Sequence, residues 1–444
     1  MSGGLILAAA NSGSGKTLLT LGLLRHLAGQ GVSVAAAKSG PDYIDPTWHA
    51  AACGRPSINL DAWAMREASL AALADGLERS ARFVICEGAM GLFDGIGPAG
   101  RGSTADLAMR TGWPVILVLD VRGMGASVAA LARGFASHRR DLALAGLVLN
   151  QVAGPRQRDL LTAALAATLP QIPVLGAMLR DAALALPARH LGLVPAGEAA
   201  VGEVLDVAAR RVGAALDVPA LLALARPGRL GLPAAGPGSD VPVPVPPLGR
   251  RIAVARDAAF AFVYPALLAG WRRAGAEIAF FSPLDDAAPD PAADAVYLPG
   301  GYPELHAGRL AGNRRFLAGL RGAANRGAAV YGECGGYMVL GEGLIDAAGR
   351  RHAMAGLLPL VTSFAERRLH LGYRILDLAA ASPLGPAGTR FRGHEFHYAS
   401  ILAEGAAERL GQVHDGEGRD LGPAGLRCGA VAGSFIHLVE REAG

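Results

Sequence analysis

An apolar run from Leu5 to Ala9 passes through Ala10 into Asn11-Ser12-Gly13-Ser14-Gly15-Lys16-Thr17, and then into an amphipathic helical pattern from Leu18 to Gln30. A buried strand, a glycine-rich loop and a helix in that order make a cradle in which backbone N–H groups converge on phosphate oxygens at the helix N-terminus. Gly13, Ser14 and Gly15 are the cradle, Lys16 reaches the outer phosphates of a nucleotide such as ATP, and Thr17 offers a hydroxyl to Mg2+. The pattern G-x-x-x-x-G-K-[ST] asks for glycine where Ala10 stands. A Ser/Gly-rich loop without a ligand is the plainer alternative, but the flanking strand and helix favour phosphate binding.

The next strand, from Val32, leaves at Lys38 into Ser39-Gly40-Pro41-Asp42-Tyr43-Ile44-Asp45-Pro46-Thr47-Trp48-His49. Open α/β sheets bind ligands at the carboxyl ends of their strands. Asp42 and Asp45 are therefore candidates to hold metal or orient a substrate carboxyl, against the ordinary reading of solvated loop aspartates. Tyr43 and Asp45 are the side chains best suited to position an acceptor carboxylate. The strand Ala81 to Cys86 ends in Glu87 and a glycine-rich loop reaching Asp94. An acid at such a strand end reaches the Mg2+ that bridges nucleotide phosphates, so Glu87 is expected as a metal ligand and Asp94 as a second, unless Asp94 only caps a turn. Pro114 to Asp120 and Leu144 to Asn150 read as further buried parallel strands, and helical patterning runs from about Ala199 to Ala225.

From Arg226 to Pro247 the chain breaks into Pro, Gly and Val, the composition of a semi-rigid linker. The expected organisation is a nucleotide-binding domain over 1–225, a linker over 226–249 and a second α/β domain over 250–444, with helices on both faces of its sheet. In the second domain Val330-Tyr331-Gly332-Glu333 leads into Cys334-Gly335-Gly336 and a helix. Glycine beside a nucleophile permits strained backbone angles that lift the reactive atom above the sheet edge. Cys334 is the nucleophile candidate, whereas Cys53, Cys86 and Cys428 read as structural thiols. The backbone N–H of Gly335, with that of Gly301 in the Leu298-Pro299-Gly300-Gly301 turn, can form an oxyanion hole. His437, on a late strand, is the candidate base.

A strand-borne cysteine with a distant histidine near the C-terminus resembles the class I glutamine amidotransferases, whose Cys–His pair releases ammonia from glutamine through a thioester. The stretches Leu-Pro-Gly-Gly-Tyr-Pro-Glu and Gly-Glu-Cys-Gly-Gly-Tyr-Met, with Arg392-Gly393-His394-Glu395-Phe396-His397-Tyr398, look like the corrin-amidating branch. The loop Lys38 to His49 resembles the signature of the hydrogenobyrinic and cobyrinic acid a,c-diamide synthases, and Leu186 to Leu193, with Arg189 and His190, resembles a run shared with cobyric acid synthases. That resemblance implies a P-loop, dethiobiotin-synthetase-like parallel-sheet domain joined to an amidotransferase α/β domain. It implies ATP, glutamine and a corrin polycarboxylate as small-molecule partners, Mg2+ as cofactor, and amidation of the a and c side chains through acyl phosphates. It leans toward hydrogenobyrinic acid as acceptor and makes Asn150 an adenine-reading residue. Acyl phosphates hydrolyse and free ammonia is mostly protonated in water, which favours both chemistries in one polypeptide. The chain departs from the usual amidotransferase triad, because Val439 stands where an acid two residues after the histidine belongs. Glu440 should face the opposite way in a strand, so either a Cys–His dyad suffices or another acid, such as Glu395, serves.

The other classes fit less well. A net charge of +4 over 444 residues, without a lysine-rich stretch, gives no nucleic-acid surface. No apolar run reaches transmembrane length, and no secretory signal precedes the first strand, so a cytoplasmic location is expected. His394 and His397 have no evident third ligand, so no metal is expected there. A P-loop regulatory ATPase has no need of Cys334 or His437.

Overall fold

The computed structural model describes residues 2–181, 188–189, 192–193, 201–230 and 242–442, and side chains are not described within 182–200. The side chains of Arg189 and His190 thus lie outside the described residues. The chain divides into two compact units, Met1–Val241 and Pro242–Gly444.

In the first unit β1 (Gly3–Ala9), β2 (Val34–Ser39), β3 (Ile58–Leu60), β4 (Phe83–Glu87), β5 (Val115–Asp120), β6 (Leu144–Val152) and β7 (Val174–Leu179) form one sheet in the order β3-β2-β4-β1-β5-β6-β7. Every neighbouring pair is parallel. Buried on both faces, such strands read as unbroken apolar runs, and all of β1 is buried. β1 lies beside β4 with Leu7 opposite Glu87, so the loop after β1 and the acid ending β4 emerge side by side. The helix α1 (Lys16–Gly29) packs on the helix Val201–Ala215 through Gly22, where a Cβ would come within 2.5 Å of Val212 Cγ2. The helical pattern expected over 199–225 is two helices, because Asp217 caps a second one, Val218–Ala223, by accepting the Ala220 N–H.

The proline-rich segment 226–249 is tied down at its described ends. Arg226 exchanges backbone hydrogen bonds with Gly4, and the Arg229 N–H donates to the Thr111 carbonyl. Val245 is buried in the second unit, where its carbonyl accepts from Trp271 Nε1.

The second unit holds a ten-stranded sheet. Glu277–Phe281, Arg251–Ala255, Ala295–Leu298, Ala329–Glu333 and Val431–Ser434 are parallel neighbours in that order. The sheet continues through antiparallel Asp420–Cys428, Glu408–Asp415, His370–Leu378, Arg390–His397 and Ile436–Arg441. Helix-flanked strands were expected throughout, yet no helix occurs among the described residues between Ala355 and Ser434. Val431–Ser434 lies beside the strand that carries the cysteine, and after Phe435 the chain moves to pair with Arg390–His397. That step brings the start of the histidine strand to the end of the cysteine strand.

Candidate active site

In the first unit the phosphate loop has the backbone its glycines permit, with Gly13 at φ 79° and Gly15 at φ 88°. Lys16 Nζ donates to the Met90 carbonyl at 2.5 Å, and Met90 itself sits at φ 49°. Thr17 Oγ1 donates to Glu87 Oε1 at 2.6 Å, so the hydroxyl and the carboxylate expected to share a cation are adjacent hard-oxygen donors, which fits Mg2+. Asp94 lies near Lys16 and its Oδ2 accepts the Gly91 N–H at 2.8 Å, which gives it a turn-capping role as well.

Behind these groups is a buried charge network the sequence reading did not assign. Lys38 Nζ is 2.6 Å from Asp45 Oδ2 and 2.9 Å from Glu87 Oε1, and fully buried His49 places Nε2 2.7 Å from Glu87 Oε2 and Nδ1 3.1 Å from Ser57 Oγ. Burial alone would raise the Glu87 carboxyl; Lys38, His49 and Thr17 outweigh it and hold it well below the usual range. Burial likewise works against the Lys38 ammonium, but Asp45 and Glu87 hold it charged. Glu87 is therefore a fixed anion at a strand end, the state a cation ligand requires. The clue in the sequence was the spacing of Lys38 and His49 around the loop.

The substrate-loop candidates divide. Asp42 Oδ1 accepts the N–H groups of Ile44 and Asp45 and so fixes the turn that leads into α2 (Asp45–Cys53). Tyr43 is buried, 4% exposed, and Asp45 is held by Lys38. Asn150 Nδ2 donates to the Ser14 carbonyl at 2.8 Å, and a Cβ on Gly15 would stand 2.2 Å from it. Its amide nitrogen thus braces the phosphate loop.

In the second unit Cys334 has φ 49° and ψ −104° at the junction of strand and helix, a conformation that costs on the order of 1–3 kcal/mol and is characteristic of nucleophile turns. The glycines around it are required by packing: a Cβ on Gly336 would stand 1.9 Å from the Leu298 carbonyl oxygen, and one on Gly335 3.0 Å from the Gly301 nitrogen. The Gly301 and Gly335 backbones thus meet beside the cysteine. The Cys334 N–H is spent on the Ser434 carbonyl, while the Gly335 backbone beside the thiol favours its thiolate form. A Cβ on Gly300 would stand 2.4 Å from His437 Cε1, 3.1 Å from its Nε2 and 3.3 Å from Cys334 Cβ, so thiol and imidazole converge on one point.

Burial, then nearby Glu304, pushes the Cys334 thiol well up. Burial, then His394 and His397, pushes His437 down to about 3. The pair rests as neutral thiol and neutral imidazole, in which the ring can take the thiol proton as sulfur attacks.

Three expectations about acids and metals change. Val439 is the extra residue of a bulge, since Arg392 pairs with Glu440 and Gly393 with Leu438; the register therefore puts Glu440 on the sheet face of His437, contrary to simple alternation. Glu395 is taken up by Arg374 at 2.6 Å and His397 at 2.9 Å. His370 and Glu395 bring ligand atoms within 4.8 Å of His397, so further ligand groups do exist. The two imidazoles, however, lie parallel with centroids 4.7 Å apart, and stacked rings cannot aim their in-plane lone pairs at one ion.

Comparison with known proteins agrees with this division. Residues 5–194 match a CobQ/CobB/MinD/ParA nucleotide binding domain, and residues 251–443 match a CobB/CobQ-like glutamine amidotransferase domain. A nucleotide-binding unit and a glutamine amidotransferase unit in one chain define a glutamine-dependent amidating ligase. The chain is 55% identical over 441 residues to hydrogenobyrinate a,c-diamide synthase of Sinorhizobium sp, covering 98% of both. It is 55% identical over 440 residues to that of Rhodobacter capsulatus and 53% over 443 to that of Brucella anthropi, again covering 98% of each chain. The chain belongs to the hydrogenobyrinate a,c-diamide synthase family. No helix among the described residues is long and apolar enough to cross a membrane.

Proposed function

We propose that this chain amidates the a and c side-chain carboxylates of hydrogenobyrinic acid, using ATP to activate each carboxylate and glutamine as nitrogen donor. The observation that carries the reading is the co-occurrence, in one chain, of the Thr17–Glu87 pair at a phosphate loop and the Cys334–His437 pair at a strained turn. In the first unit a substrate carboxylate oxygen bonds to the γ-phosphorus, ADP leaves, and the carboxylate becomes an acyl phosphate. Lys16 holds the outer phosphates. Thr17 and Glu87 would hold Mg2+, with Asp94 as a further oxygen donor. The ion supplies charge neutralisation on the phosphates.

In the second unit Cys334 sulfur attacks the glutamine amide carbon and its proton passes to His437. The oxyanion sits between the Gly301 and Gly335 N–H groups, and His437 returns the proton to the departing ammonia. Water, activated by the same imidazole, releases glutamate from the thioester. Ammonia displaces phosphate from the acyl carbon and leaves the amide.

Two tests arise here. Gly300→Ala is expected to abolish glutamine hydrolysis by driving a methyl into His437 Cε1, while amidation supplied with ammonium salts persists; undiminished glutamine turnover would show that the thiol and imidazole need no such approach. Asp45→Asn, with Tyr43→Phe as a milder companion, is expected to slow one amidation more than the other, because misplacing a reacting group by about 1 Å costs on the order of a hundredfold in rate. Mass analysis of a time course should show a monoamide building up, and equal slowing of both steps would remove this loop from carboxylate selection.

A further inference from the structure

We propose that Glu333, the residue before the nucleophile, orients His437, making the thiol site a triad whose acid and nucleophile are consecutive in the chain. The proposal rests on the second unit's reading as a glutaminase. Glu333 Oε2 lies 3.8 Å from His437 Nδ1, with both side chains almost fully buried. The other ring nitrogen, Nε2, lies on the Gly300 side of the ring, where Cys334 Cβ also approaches Gly300. Acid and thiol are thus met by opposite nitrogens of one imidazole, as an acid–base–nucleophile relay requires.

Glu333 is itself fixed. Its Oε1 accepts the Leu438 N–H at 3.1 Å, so it is anchored to the backbone next to the histidine it serves, and Oε2 accepts the Tyr297 hydroxyl at 2.7 Å. Two donors facing the two oxygens suit a carboxylate, although burial pushes this carboxyl up to about 8. At 3.8 Å the two groups face each other without a hydrogen bond; catalytic hydrogen bonds of this kind are often long until substrate engages. A carboxylate at Nδ1 keeps the ring proton there and leaves the Nε2 lone pair for the thiol. Glu395 cannot do this while Arg374 and His397 hold it, which leaves Glu440 as the acid to test against.

Glu333 is a positioning residue, so the test must read the imidazole itself. Glu333→Gln puts an amide nitrogen where Oε2 stood, with the Tyr297 hydroxyl turned to accept from it. The amide then donates to Nδ1 and forces the ring proton onto Nε2, facing the thiol. The equivalent acid-to-amide change in hydrolase triads costs about 10⁴ in kcat.

With the full chain, Glu333→Gln is expected to lower kcat for glutamine hydrolysis by roughly 10³ to 10⁴. KM for glutamine and amidation driven by ammonium should stay near wild type, Glu333→Asp should recover part of the loss, and Glu440→Gln should be little affected. Nitrogen NMR of labelled histidine should show His437 protonated on Nδ1 in the wild type and on Nε2 in Glu333→Gln. Full turnover in Glu333→Gln, loss in Glu440→Gln in its place, or a wild-type ring protonated on Nε2 overturns the proposal; the last needs no variant to fold. Cys334→Ser run alongside separates the two levels, since glutamine hydrolysis surviving in it removes the glutaminase reading as a whole.

Discussion

Cys334→Ser should abolish glutamine-dependent amidation and leave ammonia-dependent amidation intact at high ammonium and raised pH. The thioester needs sulfur, and a serine hydroxyl in the same place is a far weaker acid than a thiol, facing an imidazole whose basicity burial has lowered. The loss should reach several orders of magnitude, because attack, thioester formation and ammonia release all pass through the one atom. His437→Ala should behave alike, since burial holds the thiol neutral and only the imidazole can take its proton. Ammonia supplied from solution bypasses the whole second unit. The comparison is made by following amide product with each nitrogen donor, and either variant retaining wild-type glutamine turnover would remove the Cys334–His437 pair from the chemistry.

Lys16→Ala should fail with both nitrogen donors, because no acyl phosphate forms without the clamp on the outer phosphates. Glu87→Gln should fail as completely and for more than one reason. It removes the candidate cation ligand, and it also leaves Lys38 with one carboxylate fewer and disturbs the hydrogen bond of buried His49. A buried charge losing its partner costs several kcal/mol, so this variant should unfold more readily as well as turn over less, whereas Lys16→Ala should lose turnover only. Corrin-dependent ATP hydrolysis and a melting curve on the same samples distinguish the two effects. Wild-type ATP turnover in Lys16→Ala would mean that the loop does not bind the transferred phosphates.

Much of this was legible in the sequence because it is carried by local patterns. Strand, glycine loop, Lys16 and Thr17 are contiguous, and so are Gly332 to Gly336 around Cys334. What was not legible depends on register. The bulge at Val439 reverses the face of Glu440, and nothing in the residue string marks the extra residue. Asn150 lies near the end of β6, which packs beside β5, and only the sheet order brings its amide to Ser14. Glu333 was visible beside the nucleophile, but its approach to His437 depends on the chain changing neighbours at Phe435. In the antiparallel half of the second sheet the strands His370–Leu378, Glu408–Asp415 and Asp420–Cys428 were missed because they are partly exposed and interrupted by glycine, giving neither a continuous apolar run nor a helical period.

The most direct measurement supplies the purified chain with hydrogenobyrinic acid, ATP, Mg2+ and glutamine labelled with heavy nitrogen on the side-chain amide, and weighs the corrin over time. A transient monoamide should appear first and then a diamide carrying two labelled nitrogens, with one ATP and one glutamine consumed per amide. An unchanged corrin mass, or unlabelled amides formed while the glutamine stays intact, would contradict the proposed function.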